Sequence, residues 1–140
     1  MKVVNKELKF EFVVPDEFNE ICRDDYRKYN IDLVSTLHVF FDGRNPISIN
    51  RDDYVMNDSE FEELVDENIS NMELVGMELI SKELLKNSNC KKYYEVKTKF
   101  DVNYYNSYFI VINGVMIAYT ISNDLEDVGR NIAESIKELK

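Results

Sequence analysis

Apolar and polar residues alternate along much of this chain with the period of two that marks half-buried strands. Residues 8–14, LKFEFVV, set Leu8, Phe10, Phe12 and Val14 against Lys9, Glu11 and Val13. Pro15 ends that run because it cannot donate to a ladder. STLHVFF (35–41) and PISINRDDY (46–54) read as two strands around DGRN, whose Asp-Gly suits a tight hairpin. KYYEVKTKF (92–100) directs Tyr94, Val96, Thr98 and Phe100 inward and Glu95, Lys97 and Lys99 outward. MELISKELLK (77–86) reads as a long exposed strand followed by a polar loop at NSNC.

The most apolar stretch, SYFIVINGVMIAYTIS (107–122), contains a 13-residue mostly apolar run from Phe109 to Ile121, shorter than the roughly 20 residues a membrane-spanning helix requires. Asn113-Gly114 divides it, and Asn-Gly supplies the positive φ angles of a type I′ turn. The expectation is a hairpin pairing about 107–112 with 115–121. Apolar groups fall on both of its faces, so it needs cover from both sides.

Helical spacing replaces alternation in two places, with a shorter hint at Phe18, Ile21, Cys22, Tyr26 and Tyr29, where one or two helical turns are expected. The first full helix is predicted over about 59–73. Ser59 is its expected cap with Glu62 three residues on, Phe61, Leu64, Val65, Ile69 and Met72 share its core face, and Gly76 marks its end. The second is predicted over about 124–139, capped by Asn123, with Leu125, Val128, Ile132, Ile136 and Leu139 turned inward. These elements predict an α+β fold: a three-layer α/β/α sandwich around a mainly antiparallel sheet of about six to seven strands.

The pieces FEFVVPDEF, ISINRDDYVMNDSEFEELVDENISNM, CKKYYEVKTKF, YFIVINGVMIAYTIS and NIAESIKEL resemble, in order, the apolar patterns of the PsbP-like superfamily. That group includes a photosystem II extrinsic protein, the Mog nuclear-import factor and DcrB-type bacterial proteins. The resemblance covers about residues 8–139 and implies a single PsbP-like domain over 1–140. It also implies a role in binding other proteins, as an adaptor or chaperone-like module. No catalytic motif defines the superfamily, so the resemblance carries no site residue across.

Composition narrows the function classes. The 140 residues hold 17 Lys+Arg against 27 Asp+Glu, a formal net charge of −10. Such a field repels a phosphate backbone and an anionic lipid surface, so neither nucleic acid nor membrane is an expected partner. A protein partner with a basic surface is compatible with it. The two cysteines, Cys22 and Cys90, have no CxxC spacing and are expected as free thiols. The segment MKVVNKELKFEFVVP lacks an apolar h-region, and the expected location is the cytoplasm.

Catalytic chemistry has little to work with. His38 is the lone histidine, and its expected role is that of a strand histidine that is hydrogen-bonded or faces solvent rather than a general base or metal ligand. No nucleophile elbow or phosphate-binding glycine motif occurs, so no catalytic residue, no cofactor and no enzymatic activity is expected. RDDY occurs twice, and Asp24, Asp25, Asp52 and Asp53 would form a hard-cation site if the copies met. The tyrosines Tyr93, Tyr104, Tyr105 and Tyr108 are the candidate partner surface, because tyrosine joins apolar area to a polar tip. The leading expectation is a non-enzymatic interaction module. Its alternative is a small-molecule or cation-binding domain built on Tyr and Asp side chains. The exposed strand at 77–86 leaves room for a monomer or a weak dimer.

Overall fold

The computed structural model describes residues 1–140. A seven-stranded antiparallel sheet forms the middle layer. Its strands are β3 (Asn19–Glu20), β4 (Thr36–Phe41), β5 (Pro46–Tyr54), β6 (Glu78–Lys86), β7 (Lys92–Phe100), β8 (Asn103–Ile112) and β9 (Val115–Ser122), in the order β3-β4-β5-β9-β8-β7-β6. Helix α1 (Asp58–Leu74) covers one face. Helix α2 (Glu126–Ser135) covers the other, together with a small sheet of β1 (Lys2–Asn5), β2 (Phe10–Val13) and β10 (Lys137–Glu138). The α+β expectation stands, with one outer layer made of helix and small sheet together.

The 107–121 hairpin lies inside the sheet, as its two apolar faces require. Asn113 and Gly114 hold φ of 48° and 83°, the left-handed pair of a type I′ turn. Ile110, Ile112 and Ile117 pack beneath α2 and the small sheet; Phe109 and Met116 pack beneath α1 with Phe61 and Val65. No helix is long and apolar enough to cross a membrane.

Four expectations about elements are corrected. Helix α1 starts earlier than Ser59: Asn57 is the cap, its Oδ1 accepting from the Glu60 amide at 2.9 Å, while Glu60 Oε2 accepts from the Met56 amide. The Asn-x-x-Glu pair lies two residues before the expected Ser-x-x-Glu pair, and either reading fits the sequence. Substituting Asn57→Ala is expected to cost about 1 kcal/mol, and Ser59→Ala only a few tenths. Urea denaturation of the two variants decides between the caps, and a larger loss for Ser59→Ala than for Asn57→Ala would restore Ser59.

The second helix is shorter than predicted. Residues 123–125 form a 3-10 turn, and the backbone leaves the helix at Ile136. Two tertiary contacts end it there. Strand β2 takes Lys137 and Glu138 as pairing partners. The NSNC loop supplies donors to the orphaned carbonyls: Asn87 Nδ2 to those of Ala133 and Ile136, and Ser88 Oγ to that of Glu134.

The helical hint at 18–29 becomes the short strand β3 and two 3-10 turns, with Phe18 and Tyr26 buried. On β7, Glu95 is buried and Phe100 exposed, the reverse of the expected alternation. The strand is sandwiched for most of its length, so both of its faces are interior, and its last residue extends beyond the end of α1.

Candidate interaction surface

Strand β6 is the last of the sheet, and no strand pairs with its outer side. The nine residues Glu78–Lys86 therefore present a row of unpaired backbone groups, the kind of edge that accepts another chain. Ile80 and Leu84 are each 49% exposed on it, with Leu79 beside them. A bulge between Leu79 and Ser81 twists the first part of the strand.

The apolar surface continues around the near end of the sheet. Leu74 and Val75, where α1 ends, and Phe100, Val102 and Tyr104, at the β7–β8 turn, are all exposed. Gly76 joins the two groups: a Cβ there would lie 3.4 Å from the Phe100 ring, and its φ of +95° lets the chain turn sharply from helix into β6. Contiguous apolar exposure of this kind marks interaction sites.

Helix α1 flanks the edge with charge. Its 17 residues include seven carboxylates and no lysine or arginine. Asp58, Glu62 and Asp66, one turn apart, run down the side facing β6 and β7. Lys92 Nζ bonds Asp58 at 2.8 Å, and Lys82 Nζ bonds both Glu62 (2.9 Å) and Asp66 (2.7 Å). Burial works against the Lys82 ammonium, but the two carboxylates outweigh it and hold its pKa above the ordinary lysine value. One ammonium serves two carboxylates, so the flank stays anionic.

The expected tyrosine surface is only partly at the surface. Tyr104 is exposed and lies beneath the Lys99 ammonium, 5.6 Å from ring centroid to nitrogen, and Tyr105 is half-buried. Tyr93 and Tyr108 are each 1% exposed, under α2, and belong to the core. On β7, which is covered on both faces, Tyr93 packs beneath α2 and its neighbour Tyr94 beneath α1, so neither ring of that pair is left at the surface.

Those buried tyrosines belong to a polar network that the sequence pattern hides. Glu95, 1% exposed, accepts from the Tyr108 hydroxyl at 2.8 Å and from Arg130 Nη2 at 2.8 and 3.0 Å. Arg130 also reaches Glu126, which Lys97 binds at 2.9 Å. Tyr93 donates to Glu134, and Tyr119 to the Gly129 carbonyl. Burial, and for Tyr93 and Tyr108 a carboxylate on the hydroxyl, pushes all three phenols well above the usual tyrosine range. The network pins α2 to the sheet.

His38 is buried between Phe12 and Phe40. Asn5 Oδ1 accepts from the Leu8 amide, so its Nδ2 is the donor to His38 Nε2 at 3.0 Å. That leaves Nδ1 carrying the proton toward Glu20 Oε2 at 2.7 Å. The ring is a bonded structural histidine.

The two RDDY copies do not meet in a cation site. Asp24 and Asp25 lie in a 3-10 turn, while Asp52 and Asp53 lie on β5, where Asp52 accepts from Asn68. No group of three or more His, Cys, Asp or Glu is arranged to hold a metal. An open trough of about 680 Å³ crosses the part of the sheet that α1 leaves bare, floored by Val39 and Phe41 and walled by Ile21, Tyr29 and Ile31. Tyr29 is the one tyrosine that lines it, and Asp24, Asp25, Asp52 and Asp53 do not. Cys22 and Cys90 are exposed free thiols.

No family model matches the sequence, and no curated protein matches it. Solved structures do. The solution structure of cyanobacterial PsbP (CyanoP) from Synechocystis sp. PCC 6803 matches with a TM-score of 0.70 and 15% identity, covering 99% of this chain and 91% of that one. A crystal structure from Bacteroides thetaiotaomicron VPI-5482, at 1.50 Å resolution, matches with a TM-score of 0.53 and 13% identity. It is matched over 99% of this chain, which spans 48% of that longer one. At these identities the likeness is one of fold, and the fold is PsbP-like, as the resemblance implied.

Proposed function

From a PsbP-like fold with an open sheet edge, we propose that the protein is a non-enzymatic interaction module that binds another protein along β6. The observation that carries this reading is the unpaired nine-residue strand, continuous with exposed Leu74, Val75, Phe100 and Val102. Soluble proteins ordinarily blunt such an edge with short length or cover, because backbone groups left open there recruit strands. Here charge and one bulge are its only guards. The reading gains from what the interior does: the clustered titratable groups beneath α2 and at His38 are consumed by one another.

Affinity capture with paired baits tests this. Ile80 and Leu84 are half-exposed, so an Ile80→Ser, Leu84→Ser bait is expected to fold with circular dichroism like the parent. Proteins specifically recovered from an extract of the native source by the parent are expected to fall about tenfold or more on the variant bait. Equal recovery by both folded baits, or no specific recovery by the parent, overturns the reading.

A further inference from the structure

We infer that the occupant of the β6 edge is an extended segment in which lysine or arginine alternates with apolar residues, adding to the sheet as an eighth strand. The inference rests on β6 being the contact surface and names what that surface accepts.

Helix and strand run side by side in opposite directions, and their contacts give the alignment. Lys92, opposite Lys86 in the ladder, reaches Asp58; Lys82 reaches Glu62 and Asp66. From Asp58 to Asp66 the helix advances about 12 Å, and from Lys86 to Lys82 the strand covers about 14 Å. Carboxylates four residues apart on α1 therefore recur every ~6 Å, close to the ~6.7 Å between same-face side chains on a strand. A chain laid beside β6 turns every second side chain toward this ladder. Lys82 shows how a strand lysine meets it: the ammonium lies over the Tyr94 ring, 5.2 Å from centroid to nitrogen, and bonds two carboxylates.

Glu62 and Asp66 each keep 56% of their side-chain surface exposed and share a single ammonium. A long basic side chain from the next strand reaches the same pair, whereas an acidic one meets an uncompensated field. The intervening residues of the added chain face Ser81, Glu83 and Leu85, and Leu85, packed against the core beneath α2, offers the apolar contact there.

A second copy of this chain is the other candidate for the edge, and charge argues against it. Two-fold pairing centred on Lys82 puts lysine opposite lysine, and centring on Glu83 puts glutamate opposite glutamate. Either register also brings two anionic α1 flanks together on the same face. The net charge of −10 on each copy opposes the approach of two such molecules.

The test is a titration of the full-length 15N-labelled protein with a blocked peptide of about eight alternating lysine and valine residues, and with its glutamate–valine counterpart. Amide shifts are expected to saturate along 78–86 with the lysine peptide and to be absent with the glutamate peptide. Glu62→Gln with Asp66→Gln is expected to weaken the lysine peptide about tenfold, and added salt to weaken it further. No shift on β6, or equal binding of both peptides, overturns the inference. If extract proteins are still lost from the Ile80→Ser, Leu84→Ser bait, the interaction reading survives that result. If that loss is absent too, both fall. A dimer in sedimentation with 78–86 already protected from exchange also overturns it, in favour of self-pairing.

Discussion

Replacing Arg130 with alanine is expected to destabilise the protein by about 3–5 kcal/mol, the range for stripping the partner from a buried charge. The cost falls on Glu95. Its carboxylate sits on β7 beneath α2, and Arg130 supplies Nε at 3.2 Å and Nη2 at 2.8 and 3.0 Å. Without the guanidinium, only the Tyr108 hydroxyl is left to hold a full charge out of water. The reverse change is milder. The Arg130 side chain is 43% exposed and also touches Glu126, so Glu95→Gln leaves the cation with solvent and a second partner. Removing the group as a whole, with Glu95→Leu, Arg130→Met and Tyr108→Phe together, is expected to return most of the loss, because the orphaned charge is then gone. Urea midpoints of the four proteins measure this. A loss below about 1 kcal/mol for Arg130→Ala, or Glu95→Gln proving the worse change, would refute the assignment of the cost to buried Glu95.

Gly129→Ala is the second large expected loss, and two effects oppose each other there. In a helix interior alanine is favoured over glycine by about 1 kcal/mol. At this position, however, the added Cβ would lie 2.7 Å from Tyr108 Cε2 and 2.8 Å from Ile121 Cγ2. Neither neighbour retreats freely. The Tyr108 hydroxyl is bonded to Glu95, and its ring stacks on Tyr119 at 5.1 Å, whose own hydroxyl is bonded to the Gly129 carbonyl. The helix must lift from the sheet, stretching the bonds of Arg130 and Tyr119 as it does. Overpacking of this kind costs about 1–3 kcal/mol, and here we expect it to win. Gly129→Val should be worse, since valine adds bulk without matching alanine's helix preference. Asn131→Ala, exposed on the same helix, serves as the control and is expected to raise stability by a few tenths. The explanation fails if Gly129→Ala raises the melting temperature as the control does.

Both losses arise beneath α2, which the sequence pattern describes least well. Glu95 sits between apolar residues on an alternating strand and reads as solvent-facing. Its partners, Tyr108 and Arg130, come from 13 and 35 residues further along, so nothing local marks it as buried. A glutamate in a strand that must be covered on both sides is the one available signal, and it becomes legible only once the covering helix is placed. Tyr93 and Tyr108 were legible as large amphipathic groups, but whether each is buried depends on which faces of its strand are covered, and β7 is covered on both. The β6 edge was readable as a long exposed strand. Its place at the edge of the sheet was readable too, whereas the row of carboxylates beside it was not.

The amino-acid order by itself determined the hairpin at Asn113-Gly114, the alternating strands, the first helix and the antiparallel arrangement of the sheet. Each follows from interactions within a few residues: φ angles open to Asn-Gly, the period of a pleat, and the period of a helix. Tertiary structure decided where α2 stops, because the donors that satisfy its last carbonyls come from Asn87 and Ser88 and its continuation pairs with β2. It decided that Glu95 is inside, that His38 is spent on Asn5 and Glu20, and that β6 lies open beside Asp58, Glu62 and Asp66. The physical reason is the same in each case. Burial, pairing and electrostatic environment are set by groups distant in the chain, and a residue's own neighbours carry no record of them.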